Sequence, residues 1–251
     1  MGALHSGHLS LIALAKAQTA VVVCSIFVNP TQFTNPADLE KYPRPIETDI
    51  EKLQQAGCDV LFMPETTEMY PQKEHWHLDI GEIEHRLEGK FRPGHYQGVM
   101  QIVFKLFMAV NPDLAFFGQK DFQQFRVIEK MAEIKKLPVK LVICPIIREA
   151  DGLAMSSRNI HLNVEDRKHA LVLSRALNHI KKVLVKEASA EIILKEVIAM
   201  IKAEPGVELE YLEIVNADDL SADLSDPEKG KIALIAAKVG QTRLIDNMML
   251  A

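Results

Sequence analysis

The sequence predicts an α/β protein, a parallel sheet with helices on both faces followed by a smaller C-terminal α+β domain. Two observations predict it. Short apolar runs rich in β-branched residues alternate with helix-length periodic segments as far as residue 145, the pattern of repeated strand–helix units. Beyond Pro145 that alternation stops, and two helical segments precede three strand-like ones. The change of regime places the domains at 1–146 and 147–251, and no repeat or low-complexity segment interrupts either.

Taken in order, Gly7–Gln18 carries the first helical pattern. Val21–Val28 follows as an apolar and β-branched run, the mark of a strand buried on both faces. Asp59–Met63, Asp113–Phe117 and Val139–Cys144 have the same character, and Ile46–Ala56, Gln97–Val110 and Asp121–Lys135 are the helices between them. In the second half Glu165–Val185 and Ala188–Lys202 are helical, and Glu204-Pro205-Gly206 supplies a stop and a turn. Glu208–Asn216, Lys231–Val239 and Thr242–Met249 are strand-like, with Gly240-Gln241 spacing the last two as a hairpin. On parallel sheets ligands bind beyond the carboxyl ends of strands, so the loops after strands hold the candidate functional residues.

Composition narrows the partners. The chain has 251 residues, 48% hydrophobic and 25% charged, with a formal net charge of −5. No general basic field exists for a nucleic-acid backbone, whereas a small polyanion such as ATP needs only a few converging cations and backbone donors. Cys24, Cys58 and Cys144 are widely spaced in or beside apolar runs, which fits reduced core cysteine and implies neither a disulfide framework nor a zinc site. No apolar stretch approaches the roughly 18 residues of a membrane span. The apolar Leu9–Ala17 is preceded by two histidines and by no Lys or Arg, unlike a signal peptide, so a cytoplasmic protein is expected.

Four segments carry chemistry-bearing residues. Met1-Gly2-Ala3-Leu4-His5-Ser6-Gly7-His8 runs directly into the first helix. Gly7 there admits a close phosphate, the helix N-terminus offers N–H groups, and the imidazoles of His5 and His8 can donate to developing charge. The same two histidines, three residues apart, could instead cap the helix or hold a metal. Val28-Asn29-Pro30-Thr31-Gln32-Phe33 follows the first strand; Asn29 and Gln32 can hold hydroxyl and carboxylate oxygens, or form a polar turn stopped by Pro30. Phe117-Gly118-Gln119-Lys120-Asp121-Phe122-Gln123-Gln124 ends one strand and opens a helix. Lys120 is a point charge for phosphate and Gln124 can face a cleft, against the plainer reading of a solvated lysine beside a capping Asp121. Arg148 to Asn159 lies at the domain junction, and its Ser156, Ser157 and Arg158 suit phosphate oxygens unless the segment is an uninvolved linker.

In this order the segments resemble the pantothenate synthetase family. The resemblance is carried by MGALHSGH, VNPTQF, the EMYP at Glu68–Pro71, LEGKFRPGHYQGV, FGQKDFQQ and READGLAMSSRN, across residues 1 to about 162. It implies a Rossmann-like, His-x-Gly-His nucleotidyltransferase-type domain, a smaller C-terminal lid domain and a homodimer. It also implies that Met1, Gly2, Gly7 and His8 bind ATP, with His8 as proton donor and His5 beside it. Gln32 would contact pantoate and β-alanine, and Gln124 pantoate. Gly118, Gln119, Lys120 and Asp121 would contact ATP, as would Ile147, Met155, Ser156, Ser157 and Arg158. Family members commonly carry Glu where this chain has Gln119. They also carry some tens of residues, including a strand, ahead of the first motif, so the sequence is expected to be truncated or numbered without that segment.

The implied activity is a two-step ligation. Pantoate attacks the α-phosphorus of ATP to give pantoyl-adenylate and pyrophosphate, and β-alanine then displaces AMP. Lys120, Arg158, Ser156, Ser157, both histidines and Mg²⁺ would spread the negative charge. The nearest alternative is another His-x-Gly-His nucleotidyltransferase that leaves AMP on its product, and a non-catalytic ATP sensor is the alternative from a different class.

Overall fold

Helix α1 (Ser6–Lys16) starts where His5, in extended conformation, turns its ring onto the helix and accepts the Gly7 N–H. This computed structural model describes residues 2–34, 36–184, 190–226 and 228–250. After α1 come β1 (Val23–Ser25), a 3-10 turn at Pro30–Gln32, α2 (Pro36–Lys41), α3 (Ile46–Gln55) and β2 (Val60–Phe62). Then follow α4 (Thr66–Met69), α5 (Leu87–Phe91), α6 (His95–Val110) and β3 (Leu114–Gly118). A 3-10 turn at Gln119–Asp121 leads into α7 (Phe122–Ile134) and β4 (Lys140–Cys144). The second half holds a 3-10 helix at Ser157–His161, α8 (Val164–Leu184), α9 (Ala190–Lys202), β5 (Val207–Asn216), β6 (Lys231–Val239) and β7 (Thr242–Met249). The expected helix ends at Val185 and Ala188 lie outside the described residues.

The single parallel sheet expected from the sequence is, among the described residues, two parallel pairs. β1 pairs with β2 from Val23↔Val60 to Ser25↔Phe62, and β3 pairs with β4 from Leu114↔Lys140 to Gly118↔Cys144. The run expected as one long strand over Val21–Val28 is shorter because its partner is short: Pro64, which has no N–H, follows two residues after Phe62. The expectation of burial on both faces also fails in part. Val21, Val23 and Val60 are exposed, because in a two-stranded ladder both strands are edges. The pairs nevertheless share a core. Leu4, Ile12, Ala15, Val22, Ile26 and Leu53 cluster beneath α1 and α3, and Phe116 of β3 packs against them. A second cluster joins Val99 and Met100 of α6 to Val127, Ile128 and Met131 of α7.

The C-terminal antiparallel sheet has the order β5-β6-β7. β6 and β7 pair from Val239↔Thr242 outward, so Gly240-Gln241 is the two-residue turn the sequence suggests. Ile193, Val197 and Ile201 recur at four-residue spacing on α9, and with Leu173, Leu177 and Ile180 of α8 they bury Ile235 and Ala237 of β6. The chain divides into two compact units, one running up to Gly118 and including Gln123–Pro145, the other comprising Gln119–Phe122 and everything from Ile146 onward. The short segment 119–122, placed by sequence in the first domain, thus groups with the second. Among the described residues no helix is long and apolar enough to cross a membrane.

Cys24, Cys58 and Cys144 are free thiols. Burial, followed by the neighbouring Cys58 thiol, pushes Cys24 up to about 11, and burial also raises Cys144. The thiolate is the reactive species, so at pH 8 only about one Cys24 in a thousand is competent for alkylation. Iodoacetamide is therefore expected to label Cys24 at least about tenfold more slowly in the folded protein than in urea, and Cys144 more slowly as well, as read by peptide mass spectrometry. Equal rates in the two conditions would contradict this assignment.

Candidate active site

The loop ahead of α1 is held by a helix that sequence reasoning did not connect to it. Asp49 of α3 is fully buried, and its carboxylate accepts the Ala3 and Leu4 N–H groups at 2.7 Å each. Lys52, one turn on, donates to the Leu4 carbonyl at 2.6 Å. The clamp keeps Gly2 at φ +88° and Ala3 at φ +53°, a conformation that L side chains adopt only when their surroundings impose it. A Cβ on Gly2 would stand 3.1 Å from Asp49 Oδ2 and 3.3 Å from Ile26 Cγ2. Met1 lies outside the described residues.

At the helix start His8 Nδ1 accepts the His5 N–H at 3.3 Å while His5 Nδ1 accepts the Gly7 N–H at 3.2 Å. The two rings lie 4.0 Å apart, centroid to centroid. A neutral imidazole that accepts through Nδ1 carries its hydrogen on Nε2. Capping and ligand binding, alternatives in the sequence, are therefore compatible: capping sets each histidine as an Nε2–H donor at the positive end of α1.

The loop after β1 is built around Asn29, which is 1% exposed. Its Nδ2 donates to Gln32 Oε1 at 3.2 Å and to the Gly98 carbonyl at 3.1 Å. Its Oδ1 accepts from Tyr70 Oη at 2.7 Å and from Thr31 Oγ1 at 3.2 Å. All four hydrogen-bonding positions of the amide are thus occupied within the protein. Asn29, expected to hold substrate oxygens, bonds within the protein here, and one of its four bonds goes to Gln32. His95 fixes the same turn: its Nδ1 donates to the Gln32 carbonyl at 2.7 Å, and its Nε2 accepts from Arg92 at 3.1 Å. Gly98 lets α6 approach, since a Cβ there would lie 2.2 Å from the Thr31 carbonyl oxygen.

On α7 the two adjacent glutamines part company. Gln123 is 2% exposed and ties the preceding segment, donating to the Ile83 and Arg86 carbonyls and accepting the Glu88 N–H. Gln124, the sequence candidate, is half-buried beside it, and Gly118 ends β3 with open space where a Cβ would be.

The second unit gathers the remaining candidates. Ile147 to Met155 forms a narrow hairpin: Arg148 bridges Ala154, and the Met155 N–H reaches the Ile147 carbonyl. Ser156 then caps the 3-10 helix by accepting the Arg158 N–H at 3.2 Å, so Ser156, Ser157 and Arg158 are consecutive in one tight turn. Arg167 of α8 holds the hairpin through Glu149 at 2.6 Å and Asp151 at 2.7 Å. Asn159, buried, donates to Glu149 and to the Ala154 carbonyl. Gln119 and Lys120, both half-buried, and the exposed Asp121 form the other turn of this unit, and its carbonyls are bound by Asn247 of β7. Next to Asn247, Asp246 is 3% exposed and makes a two-pronged pair with Arg148 at 2.7 and 3.0 Å. Burial pushes the Asp246 carboxyl up, and the Arg148 bond opposes the shift.

Each unit therefore assembles its own share of the candidates: Gly2, His5, Gly7, His8, Asn29, Gln32, Gly118 and Gln124 in the first, and Gln119, Lys120, Asp121, Ile147, Met155, Ser156, Ser157 and Arg158 in the second. Among the described residues no group of three or more His, Cys, Asp or Glu side chains is placed to hold a metal ion.

Fold and site together define an α/β protein with two histidines at its first helix start and a serine–arginine turn in its second unit. A model of the pantoate-beta-alanine ligase family matches residues 1–249. A pantothenate synthetase of Thermoanaerobacter sp. (strain X514) is 46% identical over 250 residues, covering 99% of this chain and 88% of that protein. One of Cytophaga hutchinsonii is 46% identical over 255 residues, covering 100% and 89%. Among solved structures, pantothenate synthetase from Thermus thermophilus superposes with a TM-score of 0.95 at 41% identity, over 100% of this chain and 91% of that one. A pantoate-beta-alanine ligase from Francisella tularensis, solved with beta-gamma ATP and beta-alanine, gives 0.79 at 34% identity, over 100% and 87%. The chain belongs to the pantoate–β-alanine ligase family.

If the Asp49 clamp shapes the Gly2–His8 loop, Asp49→Ala leaves the Ala3 and Leu4 N–H groups without their partner. A loss of about 2–5 kcal/mol in denaturant unfolding is expected, with Asp49→Asn losing less because its amide oxygen still accepts one bond. Equal stability of Asp49→Ala and the parent protein would contradict the clamp.

Proposed function

We propose that this ligase joins pantoate to β-alanine through a pantoyl-adenylate. The observation that best supports the first step is the His5–His8 pair, two Nε2–H donors held at the start of α1 by their own caps. In that step a pantoate carboxylate oxygen forms a bond to the α-phosphorus of ATP and the bond to the pyrophosphate oxygen breaks. Negative charge builds on the phosphoryl oxygens and the leaving group. His8, with His5 beside it, donates there, and Lys120, Ser156, Ser157 and Arg158 add charge and hydrogen bonds. Gln32, bonded to Asn29, and Gln124 take the oxygens of pantoate.

In the second step the neutral amine of β-alanine attacks the acyl carbon, and AMP leaves carrying one oxygen of the original carboxylate. The substrates supply both nucleophiles, so no protein side chain needs to form a covalent bond. The raised Cys24 and Cys144 thiols suit that economy. Mg²⁺ belongs to this reading as a hard cation on the triphosphate oxygens, a binding mode that draws on few protein ligands. A homodimer, a cytoplasmic location and a lid role for the second unit are further parts of the reading, supported by the family resemblance.

Pantoate labelled with ¹⁸O in its carboxylate is expected to deliver one labelled oxygen to AMP during turnover with ATP, Mg²⁺ and β-alanine; unlabelled AMP would rule out the adenylate. His8→Ala and Lys120→Ala are each expected to lower the rate of pyrophosphate release by about 10²–10³-fold, the scale for losing one preorganised donor. Gln124→Ala is expected to raise the KM for pantoate with little change in that for ATP, and steady-state kinetics on the two substrates separates these outcomes.

A further inference from the structure

Two consecutive polar residues, Asp246 and Asn247, sit near the end of β7 and are 3% and 1% exposed. Consecutive strand residues face opposite ways, so both faces of the strand are buried at this point and both carry a polar group. If packing alone mattered, apolar side chains would cost less at both positions. Asn is also a poor strand former.

What the two residues bind explains their presence. Asn247 Nδ2 donates to the Gln119 and Lys120 carbonyls, 2.9 Å each, and Gln119 Nε2 donates back to Asn247 Oδ1 at 3.1 Å. Each trans peptide directs its C=O and N–H to opposite sides. Fixing those two carbonyls therefore fixes the orientation of the Lys120 and Asp121 N–H groups as well as the start of the Lys120 side chain. Asp246 holds Arg148, which also donates to the Gly152 carbonyl at 3.1 Å, so the Ile147–Met155 hairpin hangs from the same strand end.

We propose that Asn247 is a positioning residue for the adenylation step, a splint that sets the Gln119–Lys120 turn so that the Lys120 ammonium meets the phosphates. The inference rests on the role given to Lys120 above. Misplacing a group by about 1 Å can cost on the order of 10²-fold in rate, which sets the size of the effect.

The test compares Asn247→Leu, of similar volume without the amide, and Asn247→Asp, which keeps an acceptor for Gln119 but loses both donors. Each is made alone and on the Lys120→Ala background, with thermal melts verifying the fold. Expected for at least one folded variant is a loss of about 10–100-fold in kcat for pyrophosphate release, with the KM for β-alanine unchanged. On the Lys120→Ala background the same change should cost less than about threefold, because the residue it serves is gone. A purely structural role would make the two losses multiply, and that result, or full activity in both single variants, would overturn the proposal. Loss in Lys120→Ala with full activity in the Asn247 variants removes this inference alone. Full activity in Lys120→Ala removes the reading of Lys120 and the inference with it.

Discussion

A backbone N–H or C=O withdrawn from water must find a partner, and that constraint governs how this protein holds its working loops. Leaving one such group unpaired costs roughly 1–3 kcal/mol, a sizeable part of a typical folding free energy. Helices and strands meet the requirement internally, but the segments before α1, after β1 and after β3 do not. Each is met by a buried polar side chain from elsewhere in the same unit. Asp49 takes the Ala3 and Leu4 N–H groups, His95 takes the Gln32 carbonyl, and Asn247 takes those of Gln119 and Lys120. The loops are irregular in path but determined in conformation, and this lets Ala3 persist at positive φ.

The regular elements were legible because they follow from periodicity. The stripe of Ile193, Val197 and Ile201, the hairpin at Gly240-Gln241 and the apolar run of β3 each carry their own local signal. The short helices α2, α4 and α5 were not legible, since four to six residues are too few to establish a period. The extent of β1 was also misjudged. An apolar run shows where a strand is possible, whereas its length depends on a partner whose own end, near Pro64, lies tens of residues away.

The site divides along the same line. The residues proposed to touch substrate, such as His8, Lys120 and Arg158, lie in compact motifs, and the joint order of those motifs singles them out. The residues that hold them are not singled out in this way. Asp49 looks like an ordinary acidic residue in the first turn of α3, and Gln123 is indistinguishable by type from its neighbour Gln124. Asn29 shows the converse, a motif residue whose buried amide is bonded to Gln32, Gly98, Tyr70 and Thr31 within the protein. Only Asn247 left a trace in the sequence, as an Asn inside a strand-like run with Asp before it, where two apolar residues would have fitted the pattern.

Gln119 shows how far such bracing becomes particular to one chain. The family resemblance implies Glu at that position, and the change to Gln is expected to matter little if the side chain points away from ATP. Here it points at Asn247, and the direction of the bond is forced. Asn247 must present Nδ2 to two backbone carbonyls, so only Oδ1 remains towards residue 119, and an acceptor can be met only by a donor. The amide of Gln119 provides one, whereas a carboxylate would set oxygen against oxygen. Gln119 and Asn247, 128 residues apart in sequence, are therefore matched as a pair. The residue beside Lys120 is thus constrained by the strand that braces it as well as by any ligand it would face.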